Sequence, residues 1–188
     1  MMPTIDISDD TNARLQKIAK PLVDTYDTVI ARLLESHENA TSLGMNTPAP
    51  GTPLKDDGRT MLFDWTNPPA LAHTTVTQVS LNGELFPKSE CYWNTIMVKV
   101  IQQTRKFGKS AAEILDLLFV NAKIGQETEN GFKFLHDVGL SVQGQDSNAA
   151  FRQAFELANK MGFKLEVHFR WQPNEKALHP NRNGLFDL

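Results

Sequence analysis

The first 38 residues change from a strand pattern to a helical pattern. Apolar and polar residues alternate along Thr4-Ile5-Asp6-Ile7-Ser8, which predicts a short strand with both isoleucines on one face. Two helices are predicted to follow, separated at Pro21, and each has an aspartate or threonine near its start as a potential cap. The residues predicted to form the apolar face of this module are Ile5, Ile7, Leu15, Ile18, Val29, Ile30, Leu33 and Leu34.

A strand and two short helices bury too little surface to be stable alone, and the strand leaves both of its edges unpaired. Pairing with a second copy through antiparallel strands removes both problems. We therefore expect residues 1–38 to form a strand-helix-helix dimerisation module. The alternative is an ordinary N-terminal extension that packs on the rest of the chain.

Periodicity is lost between residues 39 and 69, where turn-forming residues replace core residues. Six of the ten prolines lie between positions 48 and 87, and proline interrupts both helices and sheet ladders. This composition predicts a flexible linker over residues 39–69. Phe63 and Trp65 are exceptions. We expect both to dock on the domain that follows, because large aromatics left in water lose their burial free energy.

The region after the linker combines strand and helix signals. Thr75 to Phe86 predicts a hairpin, because both residues of the dipeptide Asn82-Gly83 tolerate positive φ. A helix capped by Ser89 is predicted to end at Gly108. The spacing of Ser110-Ala-Ala-Glu113 then predicts a capping box at the start of a second helix.

Strand and helix signals continue to the last clear pattern in the chain. Residues 131–143 are predicted to be extended around a turn, and Asp146 or Ser147 is predicted to cap a helix. Over residues 163–171, apolar side chains alternate with charged ones, which predicts a strand with one core face and one charged face. Residues 70–188 are therefore predicted to form an α+β domain with helices on one face of a mostly antiparallel sheet.

Charge is distributed unevenly along the chain. The 188 residues carry a net charge of −3, residues 1–38 alone carry −3, and residues 71–188 carry +1. Neither part has the strong basic excess typical of nucleic-acid-binding domains, so a DNA contact requires a local patch.

Apolar runs and cysteine content bear on where the protein acts. No apolar run approaches the length of about 20 residues that a membrane helix needs, and no secretory signal is visible. The single cysteine, Cys91, fits a reducing compartment. We expect a cytoplasmic protein without membrane contact, in which Cys91 is a buried thiol.

Two stretches of the N-terminal segment carry a family resemblance. Ile-Asp-Ile-Ser-Asp-Asp at residues 5–10 and Asp-Thr-Tyr-Asp-Thr-Val-Ile-Ala-Arg-Leu-Leu at residues 24–34 resemble a ribbon-helix-helix module. They resemble more closely the N-terminal oligomerisation domain of the SeqA family of negative modulators of replication initiation. In ribbons that read DNA, the outward strand face enters the major groove between phosphates. Asp6 lies on that face, so the resemblance implies assembly by residues 1–38 and not DNA reading.

A second resemblance concerns three short segments after residue 70. They resemble uncharacterised domains associated with bacterial restriction or phage-defence loci. The segments are Tyr92-Trp93-Asn94, Ser141-Val142-Gln143-Gly144-Gln145-Asp146 and Val167-His168-Phe169-Arg170-Trp171. This resemblance implies a role in DNA transactions but does not imply a specific biochemical activity.

The charged face of the last predicted strand is the candidate binding surface. Lys164, His168 and Arg170 lie on that face. Lys133 is expected from a neighbouring strand, and Trp171 is expected at the edge of the patch. This set suits a nucleic acid or an acidic protein partner. A solvated charged face accounts for it equally well.

Metal-dependent hydrolysis requires carboxylates that converge on divalent ions, usually beside a lysine. The candidates are Asp137, Asp146 and Glu166, with Lys164, but their spacing follows no established motif. Glu166 and Lys164 on a solvated strand face are more typical of a charge pair. The five histidines show no metal-ligand spacing. We therefore predict no catalytic residue, metal or cofactor.

These observations predict a DNA-associated regulator or accessory protein. It is expected to be dimeric, or a higher homo-oligomer, through residues 1–38, and to contact DNA or a partner protein through residues 70–188. Two alternatives remain open. One is a metal-dependent nuclease of a restriction or phage-defence system, and the other is a protein-interaction adaptor.

Overall fold

The computed structural model describes Gln16, Thr25, Tyr26, residues 29–31 and residues 51–188. The chain divides into two units, residues 1–49 and residues 50–188. In the first unit, Val29 is buried and Ile30 is 41% exposed, and both are helical. The predicted ribbon-helix-helix fold lies outside the described residues, as does the rest of its apolar face: Ile5, Ile7, Leu15, Ile18, Leu33 and Leu34.

Residues 51–188 contain both helices and strands, which confirms the predicted α+β class for this unit. The strands are β1 (Lys55–Asp56), β2 (Thr60–Phe63), β3 (Thr74–Leu81), β4 (Glu84–Leu85), β5 (Ala122–Ile124), β6 (Phe132–Leu135), β7 (Leu140–Gln143), β8 (Leu165–Trp171) and β9 (Asn183–Asp187). The helices are α1 (Trp93–Lys106), α2 (Ala111–Leu117) and α3 (Ser147–Met161), and a 3₁₀ turn (Lys88–Glu90) precedes α1.

Two sheets are built from these strands. The larger has the strand order β1-β2-β9-β8-β3-β4, and the smaller has the order β5-β7-β6. The strand pairs are antiparallel, with the exception of β2 and β9, which run parallel. In the larger sheet, β9 and β8 are central and the two-residue strands β1 and β4 form the edges.

Helices α1 and α3 pack against each other and against one face of the larger sheet. Trp93 of α1 contacts Phe169 of β8 with ring centroids 5.7 Å apart, and Phe151 of α3 contacts Phe186 of β9 at 4.4 Å. Along β8, the residues on the helix side are buried and the residues between them are half-buried or exposed. We call the side of the larger sheet that faces away from α1 and α3 the open sheet face.

Several local sequence signals set the boundaries of these elements. Asn82 and Gly83 adopt φ angles of 52° and 85° and join β3 to β4, so the predicted hairpin is confirmed. Ser110 and Glu113 form the predicted capping box of α2. The Asp146 carboxylate caps α3 by accepting hydrogen bonds from the backbone N–H groups of the second and third helical residues.

Helix α1 begins later than the sequence predicts. Ser89 lies in the 3₁₀ turn, and the residue before α1 is Tyr92, whose side chain makes no capping hydrogen bond. Long-range contacts fix the helix start instead. Trp93 donates from Nε1 to Thr74 Oγ1 at 2.9 Å, and Asn94 Oδ1 accepts from the backbone N–H of Gln145 at 2.8 Å.

The predicted linker does not extend to residue 69. Strands β1 and β2 pair within the larger sheet, so the residues from 51 onward belong to the folded unit. The strand pattern is hidden because β2 has four residues between an Asp-Gly turn and two prolines. Phe63 is buried and Trp65 stacks on Phe155 at 6.3 Å, so the expected docking of both aromatics is confirmed.

The sequence predicts no element after residue 171, but β9 lies between β2 and β8 near the centre of the sheet. Its Phe186 is buried and contacts four other rings, those of Phe63, Phe151, Phe155 and Phe169. The end of the chain is therefore a core strand. Within the described part of the chain, no helix has the length and apolar character needed to cross a membrane.

Candidate functional site

Strand β8 and its start carry part of the predicted binding patch. His168 and Arg170 lie on the open sheet face, and Lys164 is exposed just before the strand begins. Lys133 does not join them. It lies on β6 in the smaller sheet, whereas the strands beside β8 are β3 and β9. The expectation that a strand next to β8 supplies Lys133 is wrong.

Trp171 belongs to the core and not to the edge of the patch. Its side chain is 0% exposed, and its Nε1 donates to the backbone carbonyl of Ala70 at 3.1 Å. It packs edge-on against Phe63 and Phe169, with ring centroids 5.7 and 4.9 Å apart. The alternation that directs Arg170 outward directs Trp171 inward, so its ring cannot stack on a base or another ligand.

Acidic and basic side chains are mixed on the open sheet face. His168 Nε2 lies 2.8 Å from Glu166 Oε1, and Glu166 is opposite Asp187 in the register of β8 and β9. Arg170 Nη2 donates to Asn181 Oδ1 at 3.3 Å. Because DNA affinity depends mainly on neutralising phosphates, two carboxylates among these cations weaken the attraction of this face for DNA.

The three carboxylates considered for a metal site lie on different elements. Asp137 follows β6 and accepts from Gln102 Nε2 at 3.1 Å, Asp146 caps α3, and Glu166 lies on β8. Among the described residues, no group of three histidine, cysteine, aspartate or glutamate side chains is arranged to hold a metal ion. The cap also occupies N–H groups at the start of α3 that a phosphate would otherwise use.

The three segments expected from the sequence to resemble restriction or phage-defence domains contact one another. Asn94 forms two hydrogen bonds with the backbone of Gln145, donating to its carbonyl at 2.7 Å and accepting from its N–H at 2.8 Å. These bonds attach the start of α1 to the loop before α3. Trp93 packs on Phe169 of the third segment. These contacts therefore stabilise the fold.

Cys91 has the environment of a structural thiol. It is 4% exposed, and its Sγ lies 3.5 Å from the carbonyl oxygen of Pro87. Burial raises the pKa of the Cys91 thiol, which disfavours the nucleophilic thiolate. The prediction of a buried thiol is confirmed.

A long groove runs along the outer side of α1. It consists of two adjoining cavities of about 330 and 580 Å³. One wall is the β3–β4 hairpin with the 3₁₀ turn, and the other is β6 with the turn that follows it. We call this feature the α1 groove. The side chains shared by its two cavities are Glu90, Lys99, Gln102 and Asp137.

The larger cavity follows the edge of β6. Lys133, Phe134 and Leu135 are consecutive strand residues, and all three line it. Successive side chains of a strand point to opposite faces, so a cavity that touches three in a row lies along the strand edge and not over one face. Among the strands of residues 51–188, β6 pairs with β7 on one side and with none on the other. Its unpaired edge therefore borders the groove.

Two polar contacts join the walls of the groove to α1 where the cavities meet. Lys99 Nζ lies 2.9 Å from Glu90 Oε2, and Gln102 donates to Asp137 at 3.1 Å. The ammonium of Lys99 also lies over the Phe86 ring, 5.9 Å from its centroid. These contacts hold the two walls against α1.

The sequence did not predict the α1 groove. Its walls come from segments about 50 residues apart that are brought together by packing on α1. The available signal was the outer stripe of α1, in which Val98 interrupts otherwise polar positions. An apolar residue on the polar side of an amphipathic helix is weak evidence for a binding surface.

Comparison with known proteins gives no assignment for this chain. No protein-family model, curated protein or solved structure matches it.

Proposed function

We propose that the protein is a non-catalytic accessory protein of a DNA-associated assembly. Residues 1–38 pair two copies, and the C-terminal unit binds a partner protein in the α1 groove. The observation that carries this proposal is the unpaired edge of β6 beside a cavity of about 580 Å³. An open strand edge beside an apolar cleft is a common basis for recognising protein segments.

Charge supports a protein partner more than DNA for the C-terminal unit. Residues 50–188 contain fifteen basic and fifteen acidic residues, so the unit lacks the positive excess that draws DNA to a surface. On the open sheet face, Glu166 and Asp187 stand among the cations. The only aromatic side chain predicted there, Trp171, is buried.

The association with DNA rests on the likeness of residues 1–38 to the SeqA oligomerisation domain and on the likeness of three later segments to restriction or phage-defence domains. In this proposal the accessory protein contacts DNA directly within that assembly, through a surface other than the open sheet face. Dimerisation would strengthen weak partner contacts, because two tethered sites gain effective concentration.

A mobility-shift experiment with double-stranded DNA and the full chain tests the proposal. The variant Lys164→Glu/Arg170→Glu reverses both exposed cations at β8. The matched control Lys88→Glu/Lys160→Glu reverses two exposed lysines elsewhere. We expect DNA to be retained equally by both variants, and to remain intact when Mg²⁺ is present.

Three outcomes would contradict the proposal. A larger loss of retention in the β8 variant than in the control would assign DNA binding to the open sheet face. Cleavage in Mg²⁺ would favour the metal-dependent nuclease. Absence of any retention would remove the DNA association and leave a protein-interaction adaptor.

A further inference from the structure

We propose that the occupant of the α1 groove is an extended, acidic segment of the partner protein that adds as a strand to the open edge of β6. This inference rests on the proposed function and deepens it, because it names the binding edge and the chemistry of the ligand. Four features of the groove support it: backbone groups, apolar lining, charge and length.

The backbone of β6 has hydrogen-bonding groups directed at the groove. The N–H of Gly144 donates to the carbonyl of Gly131 at 3.1 Å, just beyond the end of the β6–β7 ladder. Bonded and non-bonded pairs alternate along an antiparallel ladder. Lys133 therefore directs its N–H and C=O towards β7, and Phe134 directs both groups outward, where an added strand would pair with them.

Apolar side chains flank this backbone position. Val98 of α1 and Phe134 are half-buried, and Leu135 is buried. All three line the larger cavity. A strand added to β6 would place alternate side chains against this lining, so an apolar residue in the ligand would be shielded from water.

Charge beside the β6 edge favours an acidic ligand. Glu90 is paired with Lys99, whereas Asp137 accepts a hydrogen bond from the neutral amide of Gln102 and keeps its negative charge. Within residues 51–188, Lys133 has no hydrogen bond or ion pair through its ammonium group. A carboxylate in the ligand next to Lys133 would pair with its ammonium group, at a position away from Asp137.

Charge at the far end of the groove gives no preference, because Lys106 and Glu84 offset each other there. An acidic ligand residue is therefore specified only at Lys133. The length of the groove suits a short peptide. The four residues of β6 extend about 13 Å at about 3.3 Å each, so a ligand of about four or five extended residues covers this edge.

The probe for this inference is a displayed library of random peptides, selected on the full chain. We expect enriched sequences to combine an acidic residue with apolar neighbours. For a synthetic peptide of enriched sequence, we expect the exchange of the Phe134 amide hydrogen with solvent to slow at least about tenfold on binding. Affinity would be measured by fluorescence anisotropy.

Two substitutions separate backbone pairing from charge. Phe134→Pro removes the outward N–H, a change that edge strands tolerate. We expect it to weaken binding at least about tenfold, because one ligand carbonyl is left unpaired. Phe134→Ala retains the N–H and reports the contribution of the ring alone. We expect Lys133→Glu to weaken binding and the matched control Lys160→Glu to leave it unchanged.

The outcomes distinguish this inference from the proposed function. Peptides that bind without protecting the Phe134 amide, or equally well to the Lys133→Glu and Lys160→Glu variants, would overturn the inference and leave partner binding at another surface. That result would mean that the role of Lys133 is to prevent the edge of β6 from pairing with strands of other chains. Absence of any enriched peptide would overturn the inference as well. If Phe134→Pro fails to fold, protection of the Phe134 amide and the comparison of Lys133→Glu with Lys160→Glu still test the inference.

Discussion

His179 lies against the rings of Phe63 and Trp171, with ring centroids 6.3 and 4.9 Å apart. Burial, followed by the positive charge of Arg182, lowers the pKa of His179 below its ordinary value, although Asp56 acts in the opposite direction. The folded state therefore disfavours the protonated imidazole. The unfolded chain takes up this proton at a higher pH than the folded chain does.

From this difference we expect the free energy of unfolding to fall as the pH decreases from about 6.5 towards the lower pKa of folded His179. His179→Phe should remove that part of the decrease, because phenylalanine keeps the ring contacts and does not titrate. Urea unfolding of both proteins at about pH 7.5 and about pH 5.5 measures the effect.

Four described carboxylates have lowered pKa values and titrate below this window. The pKa values of Asp56, Asp57 and Glu127 lie below their ordinary values, and the pKa of Glu113 is about 2, because each carboxylate accepts backbone N–H groups. Their contributions to stability are lost at lower pH. An equal decrease in His179→Phe and the natural chain would show that another group is responsible.

Gly184 is a second residue whose role follows from its surroundings. A Cβ at this position would lie 2.7 Å from Cε1 and Cε2 of Phe169, whose ring is buried in the core. We expect Gly184→Ala to destabilise the protein by about 1–3 kcal/mol, the usual cost of overpacking. Gly144→Ala is the control, because a Cβ there meets only a carbonyl oxygen at 3.9 Å. Thermal melting compares them, and equal melting temperatures would contradict the prediction.

At the scale of the elements, strong local patterns predicted the structure well. The hairpin at Asn82-Gly83, the capping box of α2 and the alternating strand β8 follow from residues that are neighbours in sequence. The spacing of residues along the sequence is enough to predict such elements.

Elements defined by distant partners were not predicted. In β9, Gly184 lies opposite Phe169, where the ring leaves no room for a side chain. The glycine interrupts the apolar pattern by which a core strand is recognised in a sequence. The α1 groove depends on how two hairpins pack beside one helix. Trp171, in contrast, could have been assigned to the core from the sequence, because the alternation along β8 places it on the buried side of the strand.

The central position of β9 leads to a prediction at this scale. A chain that ends at Asn181 lacks β9, which leaves β2 and β8 without their shared neighbour and uncovers the aromatic core around Phe186. We expect this truncated chain to lose cooperative thermal unfolding. Circular dichroism in the aromatic region provides the measurement. A truncated chain with a native-like spectrum and a sharp transition would mean that β9 is dispensable.

At the scale of the whole molecule, the two units have separable tasks in the proposed function. Residues 50–188 contain the aromatic core and the α1 groove, and residues 1–38 are proposed to pair two copies. A dimer with two grooves binds a repeated or clustered partner more tightly than a monomer does, by effective concentration alone. In the proposed function, self-association and groove binding therefore contribute to one affinity, and we expect that each can be removed independently.

Deletion of residues 1–49 tests this separation, because the cut falls at the division between the units. We expect residues 50–188 to melt cooperatively and to have the mass of a single copy by light scattering, while the full chain has at least twice that mass. Affinity for a single dissolved peptide should be unchanged, whereas retention on a densely coated peptide surface should fall, because only the second measurement depends on two grooves. An unchanged subunit number after the deletion would place self-association in residues 50–188 and refute the assembly role of the N-terminal segment.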